Sequence, residues 1–273
     1  MSDIANTDAQ PGQNIPIKTV PNLRDMGGWP VAGGGRVRSG LLYRSAEFAN
    51  LQGDDSAEFA KLGIRSVYDM RTADERAANP NIVPPGTEYI VVDILADASG
   101  AAPAQIAQAL SDPKAAEEML GGGKAESLFT DGYRQIVSLP SALTGYRQFF
   151  TDISEPEHRP AAFHCTTGKD RTGWAAAAFL LLMGVSEDDV HTDYMLTNAQ
   201  LLPSLKPLVD HFVSLGGDAD LLTPVIGVEP EYLDGALDEM RKRFKSVEGY
   251  FADGLGLDAR VIDQLRSSYI EED

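Results

Sequence analysis

The sequence is poor in the residues that form disulfides and zinc sites: its 273 residues include one cysteine and four histidines. A single thiol excludes an internal disulfide. Three of the histidines, His158, His191 and His211, show no spacing typical of metal ligands, so we expect surface side chains there. The sequence therefore predicts neither a metal site nor a bound cofactor.

Basic residues are scarce as well. There are 23 lysines and arginines against 41 acidic side chains, which gives a formal net charge of −18. This balance argues against nucleic acid as a partner and against attraction to an anionic membrane surface. It still allows a small positive pocket inside an acidic protein.

Long apolar runs are also missing. The stretch around Leu180 to Met183 is apolar but too short to cross a bilayer. The first residues show no basic segment followed by an apolar one, so no cleaved secretory signal is expected. We expect a protein that is cytoplasmic or secreted without a cleaved signal and that has no stable membrane insertion. Composition does not indicate the oligomeric state.

What the sequence does contain is an alternation of strand-like and helix-like segments over its first two-thirds, followed by helical segments. This pattern predicts an α/β fold with a short, mostly parallel sheet flanked by helices. We expect a disordered polar tail over 1–14 and one domain over 15–273, with an acidic, glycine-rich insertion at about 96–127. Within these parts we predict weak helices over 103–110 and 114–120 and separate helices over 186–198 and 201–213.

The single cysteine lies in the stretch HCTTGKDRTG, between an apolar strand predicted over 161–164 and a buried helix predicted over 172–183. The start of a helix leaves backbone N–H groups unpaired and favours negative charge. A loop over Thr166, Thr167, Gly168, Lys169, Asp170 and Arg171 can wrap such groups around three phosphate oxygens. Gly168 permits the backbone turn that this wrapping requires.

The same loop supplies the groups for phosphoryl transfer. Arg171, six positions after Cys165, has a planar guanidinium that can hold two phosphate oxygens. The positive field favours the thiolate form of Cys165, which makes it a nucleophile. Thr172 could donate its hydroxyl to the sulfur when the sulfur leaves. These residues predict transfer of a phosphoryl group to sulfur, followed by hydrolysis of the phosphocysteine. No metal is needed, because the backbone amides and Arg171 stabilise the charge on the phosphoryl oxygens.

Other interpretations of the loop remain. A buried structural cysteine is disfavoured by the three consecutive charges Lys169, Asp170 and Arg171, which do not belong in an apolar core. A module that binds phosphorylated ligands without turning them over is an alternative of a different class. Persulfide transfer is formally open, whereas arsenate reduction usually needs partner thiols that this chain lacks.

The stretch HCTTGKDRTG resembles the active-site signature of the cysteine-dependent tyrosine phosphatase superfamily, in the version found in a bacterial subgroup. The resemblance spans roughly residues 18 to 270, and the acidic insertion matches poorly. Four further stretches carry it: PNLRDMGG (21–28), LLYRSAEF (41–48), IRSVYDMRT (64–72) and GVEPEYLDGAL (227–237).

The resemblance implies a single α/β domain that hydrolyses phosphotyrosine in proteins, with relaxation toward phosphoserine, phosphothreonine and phosphoinositides. It assigns Cys165 as the nucleophile, Arg171 as the phosphate clamp and Lys169 as an extra cation beside the pocket. It also implies helical lids. We place these in the insertion or in a C-terminal helical region at about 201–255.

Two aspartates are candidates for the general acid, because the tryptophan-proline-aspartate signature of many tyrosine phosphatases is absent: Trp29 and Pro30 precede a valine. Asp170 is the first candidate, since it lies in the loop beside the leaving oxygen. Asp69, at the end of a predicted strand, is the second. Its alternative role is an anchor for Arg171 or for a nearby backbone turn.

Three other side chains near the loop have predicted roles. His164 is expected to steady the loop through a hydrogen bond to its backbone rather than to act as a base. Arg44 and Arg71 are expected either to line the pocket or to form solvated pairs.

Overall fold

The structure is a computed structural model that describes residues 10–98 and 112–272. Its central sheet has the strand order β1-β3-β6-β4-β5, in which β3, β6, β4 and β5 run parallel and β1 is antiparallel. The predicted α/β class with a mostly parallel sheet is confirmed. The strands within the described ranges are β1 (Arg24–Asp25), β2 (Arg36–Val37), β3 (Leu42–Ser45), β4 (Ser66–Asp69), β5 (Glu88–Val91), β6 (Ala161–His164) and β7 (Ile270–Glu271).

Helices flank the sheet and make up most of the C-terminal half. Short 3₁₀ turns occur at Pro156–His158 and Ala219–Leu221, and one π turn at Tyr250–Gly254. The α-helices of the described ranges are α1 (Gly53–Ala60), α2 (Ala73–Ala78), α3 (Pro113–Leu120), α4 (Lys124–Ser138), α5 (Pro140–Ser154), α6 (Arg171–Met183), α7 (Glu187–Ser214), α8 (Thr223–Ile226), α9 (Pro230–Phe244), α10 (Val247–Gly249) and α11 (Ala259–Tyr269).

The register of the parallel strands brings three loops to one edge of the sheet. Ser45 at the end of β3 and Asp69 at the end of β4 both lie beside His164 at the end of β6. The chain therefore leaves all three strands at the same carboxyl edge. In open parallel sheets this edge is where ligand sites form.

The central helix α6 follows β6 directly and forms the middle of the core. Each of its residues except Leu181 is buried, and its phenylalanine, leucine and methionine side chains each contribute about 1.5–3 kcal/mol when fully buried. The helix ends at Gly184, whose φ of 88° is the left-handed conformation that commonly terminates helices. The start of α6 is thereby fixed against the sheet, with its unpaired N–H groups at the carboxyl edge.

The predicted tail over 1–14 is too long at its C-terminal end. Asn14 forms a β-bridge with Arg24, and Gln200 Nε2 donates to the Gly12 carbonyl at 2.8 Å. Residues 10–14 thus contact the domain, because backbone pairing there offsets the low hydrophobicity of the segment. The rest of the predicted tail, 1–9, lies outside the described residues.

The two helices predicted over 186–198 and 201–213 are one continuous helix, α7. Asn198 is hydrogen-bonded to Val228 in both directions, at 2.9 and 2.8 Å. This contact holds the middle of α7 against the chain that follows α8. Pro203 and Pro207 lie inside the helix, although each removes a backbone donor.

The predicted insertion and the C-terminal helical region pack against each other. Ala116 and Leu120 of α3 form a small apolar cluster with Phe212, Leu222 and Val225. The weak helix predicted over 114–120 corresponds to α3, whereas the one predicted over 103–110 lies outside the described residues. Among the described helices, none combines the length and the apolar character needed to cross a membrane.

Candidate active site

The loop from Cys165 to Asp170 joins β6 to α6 at the carboxyl edge of the sheet. Cys165 is fully buried at its base. Gly168 has a φ of 69°, and a Cβ atom at this position would lie 2.2 Å from the Ser45 carbonyl oxygen. Because glycine has no Cβ atom, it is the residue type that allows the loop to approach β3 this closely.

The carbonyl groups of this loop are held on its outer side by donors from other elements. Glu47 N–H donates to the Thr166 carbonyl at 3.1 Å. Asn22 Nδ2 donates to the carbonyls of Thr167 and Gly168, at 3.3 and 3.1 Å. Arg44 Nη2 also donates to the Gly168 carbonyl, at 2.8 Å.

The loop N–H groups are left free by this arrangement. None of the backbone N–H groups of 166–170 donates a hydrogen bond to any residue that the structure describes. A peptide unit with its carbonyl fixed outward presents its N–H on the opposite side. The loop is therefore arranged as a concave set of donors, which is the geometry of an anion site.

Behind the loop lies a buried ion cluster made of Arg24, Arg44 and Asp193. Asp193 accepts from Arg24 Nε at 2.9 Å and from Arg44 Nη1 at 2.7 Å. Burial disfavours the charged carboxylate, but the two arginines outweigh this effect and hold the pKa of Asp193 below its ordinary value. Burial and the neighbouring Arg24 lower the pKa of Arg44 to about 10. Arg44 is thus neither a pocket-lining nor a solvated residue.

At the front of the loop, Arg171 is paired with Glu75 of α2. Its Nη1 and Nη2 donate to the two carboxylate oxygens of Glu75, each at 2.7 Å, and Nη1 also donates to the Met70 carbonyl at 3.2 Å. The Thr166 hydroxyl donates to Glu75 as well, at 2.6 Å. Burial opposes the charge on Glu75, but Arg171 dominates and holds the pKa of Glu75 well below its ordinary value.

Glu75 is positioned by a capping box at the start of α2. The Thr72 hydroxyl accepts from Glu75 N–H, and Glu75 Oε2 accepts from Thr72 N–H at 2.9 Å. In the sequence Glu75 is visible only as the last residue of the Thr-x-x-Glu capping pattern. Its pairing with Arg171 depends on a contact across 96 positions of the chain, so local patterning does not indicate it.

His164 is a fully buried neutral side chain. Burial lowers its pKa to about 4. Nδ1 donates to the Cys165 carbonyl at 2.9 Å, and Nε2 accepts from Asn81 Nδ2 at 2.9 Å. The ring therefore contacts the loop backbone, as the sequence predicts, and fixes the carbonyl of the cysteine.

Asp69 lies behind the loop and is fully buried. Its carboxylate accepts from Arg71 Nε and Nη2, at 2.9 and 2.7 Å, and from Tyr89 and Asn81 at 2.5 and 3.1 Å. Burial favours the protonated form, but the hydrogen bonds from Arg71 outweigh it, so the pKa of Asp69 is lowered. The Arg71 N–H also donates to Asp69 at 3.0 Å, so Asp69 anchors the backbone turn at Arg71. Arg71 is buried and paired, so it does not line a pocket.

Asp170 and Lys169 form an ion pair at the mouth of the loop. Lys169 Nζ lies 2.8 Å from Asp170 Oδ1 and 4.2 Å from the centroid of the Phe129 ring. The Tyr133 hydroxyl donates to the same Asp170 oxygen at 2.9 Å. The ammonium group of Lys169 is thus already engaged, and only 4% of its side chain is exposed.

The role predicted for Thr172, donation to the sulfur as it leaves, stays a prediction. Its hydroxyl is buried and has no hydrogen-bond partner within 10–98 and 112–272. Of the other histidines, His191 contacts Asp234 at 2.9 Å and His158 lies 3.4 Å from Glu88. Neither approaches the loop.

The sequence matches known proteins over most of its length. A provisionally named tyrosine-protein phosphatase of Cupriavidus necator is 27% identical over 268 residues, which cover 97% of this chain and 92% of the relative. The triple specificity protein phosphatase PtpB of Mycobacterium tuberculosis is 28% identical, covering 90% and 95%. A tyrosine-protein phosphatase of Nostoc commune is 25% identical, covering 84% and 74%. Residues 15–271 match the tyrosine phosphatase family. The chain therefore belongs to this family and is a phosphatase.

Proposed function

We propose that the protein hydrolyses phosphotyrosine in proteins through a phosphocysteine intermediate. One observation carries the proposal: donors from Asn22, Arg44 and Glu47 hold the carbonyls of 166–168 outward, and the N–H groups of 166–170 donate no hydrogen bond within the described residues. Such preorganised donors stabilise the charge of a phosphoryl group in transfer. Arg171 adds a guanidinium at the front of the same loop.

The reaction has two steps. In the first, the Cys165 thiolate attacks phosphorus; the S–P bond forms while the bond to the leaving oxygen breaks, and Asp170 gives its proton to that oxygen. In the second, Asp170 takes a proton from water, the water oxygen attacks phosphorus, and the S–P bond breaks. Inorganic phosphate leaves and the thiolate is restored.

Asp170 is a better general acid than Asp69. About a quarter of the Asp170 side chain is exposed at the mouth of the loop, whereas Asp69 is fully buried behind it. Both oxygens of Asp69 are occupied by hydrogen bonds from Arg71, Asn81 and Tyr89, whereas Oδ2 of Asp170 accepts none from the described residues. Asp69 instead serves as the anchor of the Arg71 turn.

The surroundings of the loop favour phosphopeptides over phosphoinositides. Lys169, the cation that would meet a second phosphate, is paired with Asp170. A groove beyond Tyr133 and Tyr232 is lined by carboxylates, which repel a multiply charged headgroup. They are Glu126, Asp220, Glu229 and Glu231. The relative PtpB is called a triple specificity phosphatase, so phosphoserine, phosphothreonine and phosphoinositides are the substrates to compare.

The test is phosphate release from phosphotyrosyl, phosphoseryl and phosphothreonyl peptides and from a phosphoinositide, in the presence of a chelator. We expect the highest kcat/KM for phosphotyrosine, the lowest for the phosphoinositide, and no turnover by Cys165→Ser. After an acid quench, the wild-type protein should retain radioactive phosphate from a labelled substrate, whereas Cys165→Ser should not. Binding of phosphopeptide without any release would instead identify a binding module.

A further inference from the structure

The two carboxylate oxygens of Asp170 have different surroundings. Oδ1 accepts from Lys169 Nζ at 2.8 Å and from the Tyr133 hydroxyl at 2.9 Å, which is shorter than the 3.3 Å from that hydroxyl to its other acceptor, the Lys169 carbonyl. Oδ2 accepts no hydrogen bond from any residue in the described part of the chain. A carboxylic acid carries its proton on one oxygen only, and that oxygen has to face the leaving group. The contacts therefore distinguish the oxygen that is held from the oxygen that is free to carry the proton.

Tyr133 is well suited to hold Oδ1. It lies on α4, is 1% exposed, and its hydroxyl accepts in turn from the Tyr194 hydroxyl at 2.6 Å. Burial, with the nearby Asp170 as the next cause, raises the pKa of Tyr133 well above its ordinary value. The phenol therefore keeps its proton and remains a donor at neutral pH.

The tyrosine pair also links three elements that the sequence separates. Tyr133 comes from α4, Tyr194 from α7, and Asp170 from the loop before α6. The Tyr194 ring packs against Gly173, where an added Cβ atom would lie 3.1 Å from Cε2. The two phenols are thus locked by packing, which is what orienting another side chain requires.

We propose that Tyr133 is the positioning residue of the general acid: by holding Oδ1 of Asp170, it leaves Oδ2 to carry the proton to the leaving oxygen. Tyr194 supports it by donating to its hydroxyl. This inference rests on the proposed function, because it requires Asp170 to be the acid. Tyr133 itself does not touch the reacting atoms.

The test compares two substrates that differ in their need for an acid. Phosphotyrosine releases a phenol with a pKa of about 10 and needs protonation, whereas dinitrophenyl phosphate releases a much more acidic phenol and does not. We expect Tyr133→Phe to lower kcat/KM for phosphotyrosine roughly ten-fold, a part of the 10²–10⁴-fold that general acids contribute. For dinitrophenyl phosphate we expect less than about a two-fold change, and inhibition by inorganic phosphate should not change.

Tyr232→Phe is the matched control. Tyr232 belongs to the same aromatic cluster, 5.8 Å from Tyr133 between ring centroids, but its hydroxyl donates to the Pro224 carbonyl rather than to Asp170. For Tyr232→Phe we expect the ratio of kcat/KM between the two substrates to equal that of the wild-type protein. If Tyr133→Phe is unstable because the Tyr194 hydroxyl loses its acceptor, the double variant Tyr133→Phe/Tyr194→Phe removes both hydroxyls and leaves none unpaired.

Asp170→Asn separates the possible outcomes. If Asp170 is the acid, this variant shows the same selective loss, and adding Tyr133→Phe to it has no further effect. An equal loss on both substrates in Tyr133→Phe, or an additive loss in the double variant, overturns the positioning role while Asp170 remains the acid. If Asp170→Asn lowers kcat/KM equally for the two substrates, or lowers it for neither, the acid assignment is wrong and the inference is wrong with it.

Discussion

Two buried arginines flank the phosphate loop, and their surroundings differ. Behind the loop, the side chains of Arg44 and its partner Asp193 are 0% and 2% exposed. In front, those of Arg171 and its partner Glu75 are 9% and 16% exposed. Both are carboxylate–guanidinium pairs with a closest contact of 2.7 Å. Their closest contacts are equal in length, and what differs is the sharing of the carboxylate and its access to solvent and to a ligand.

This difference assigns different tasks to the two pairs. The rear carboxylate is shared between Arg24 and Arg44, and Arg44 also holds the Gly168 carbonyl, so these charges act as fixed scaffold. The front guanidinium is held by Glu75 and by the Met70 carbonyl, and it lies at the more exposed face of the loop, where phosphate oxygens can reach it. Buried pairs cost desolvation and are weak evidence for stability, but breaking one leaves an uncompensated charge.

The largest expected effect follows from removing the shared carboxylate behind the loop. Asp193→Ala leaves Arg24 and Arg44 buried without a counter-charge, so the free energy of unfolding should fall by about 3–5 kcal/mol. Urea unfolding measures it. The matched control is Asp210→Ala on the same helix, whose pair with Lys206 is exposed and should contribute less than about 1 kcal/mol. Equal losses in the two variants would show that the rear cluster is not a scaffold.

A substitution in the front pair, Arg171 and Glu75, should lower activity more than it lowers the free energy of unfolding. Glu75→Gln keeps the shape of the side chain but removes the charge that orients Arg171, and misplacing a phosphate-binding group by about 1 Å can cost roughly 10²-fold. We expect kcat/KM for phosphotyrosine to fall by about that factor, with a smaller loss of unfolding free energy than in Asp193→Ala.

Glu58→Gln, at an exposed carboxylate paired with Lys61, is the control for the front pair. It should leave kcat/KM unchanged. If Glu75→Gln retained full activity, Arg171 would not depend on Glu75 for its orientation, and the contrast between the two pairs would be lost.

The sequence predicted the parts of this site that depend on local order. The spacing from Cys165 to Arg171, the turn at Gly168 and the strand and helix on either side are contiguous, so chain geometry alone brings them together. The mostly parallel sheet was predictable for a similar reason, since alternating periodicity is a local signal.

The groups that hold the loop in place were not predictable in the same way. Asn22 and Arg44 reach the Gly168 carbonyl across 146 and 124 positions of sequence, and Tyr133 reaches Asp170 from another helix. No local pattern specifies such pairs. The continuity of α7 through two prolines was missed because its contacts with Gly12 and Val228 lie far away along the chain.

A carboxylate without a paired arginine sharpens the comparison. Within the described residues the half-buried Asp25 accepts from the N–H groups of Gly27 and Gly40 and from no cation, and burial raises its pKa to about 6. The folded protein thus binds the proton more tightly, so this group stabilises the fold below about pH 4 and its contribution is lost as pH rises through 6. Asp25→Asn lacks this dependence. Its unfolding free energy relative to wild type should rise by about 2 kcal/mol from about pH 4 to pH 7 in urea titrations. A difference independent of pH would mean that Asp25 ionises normally.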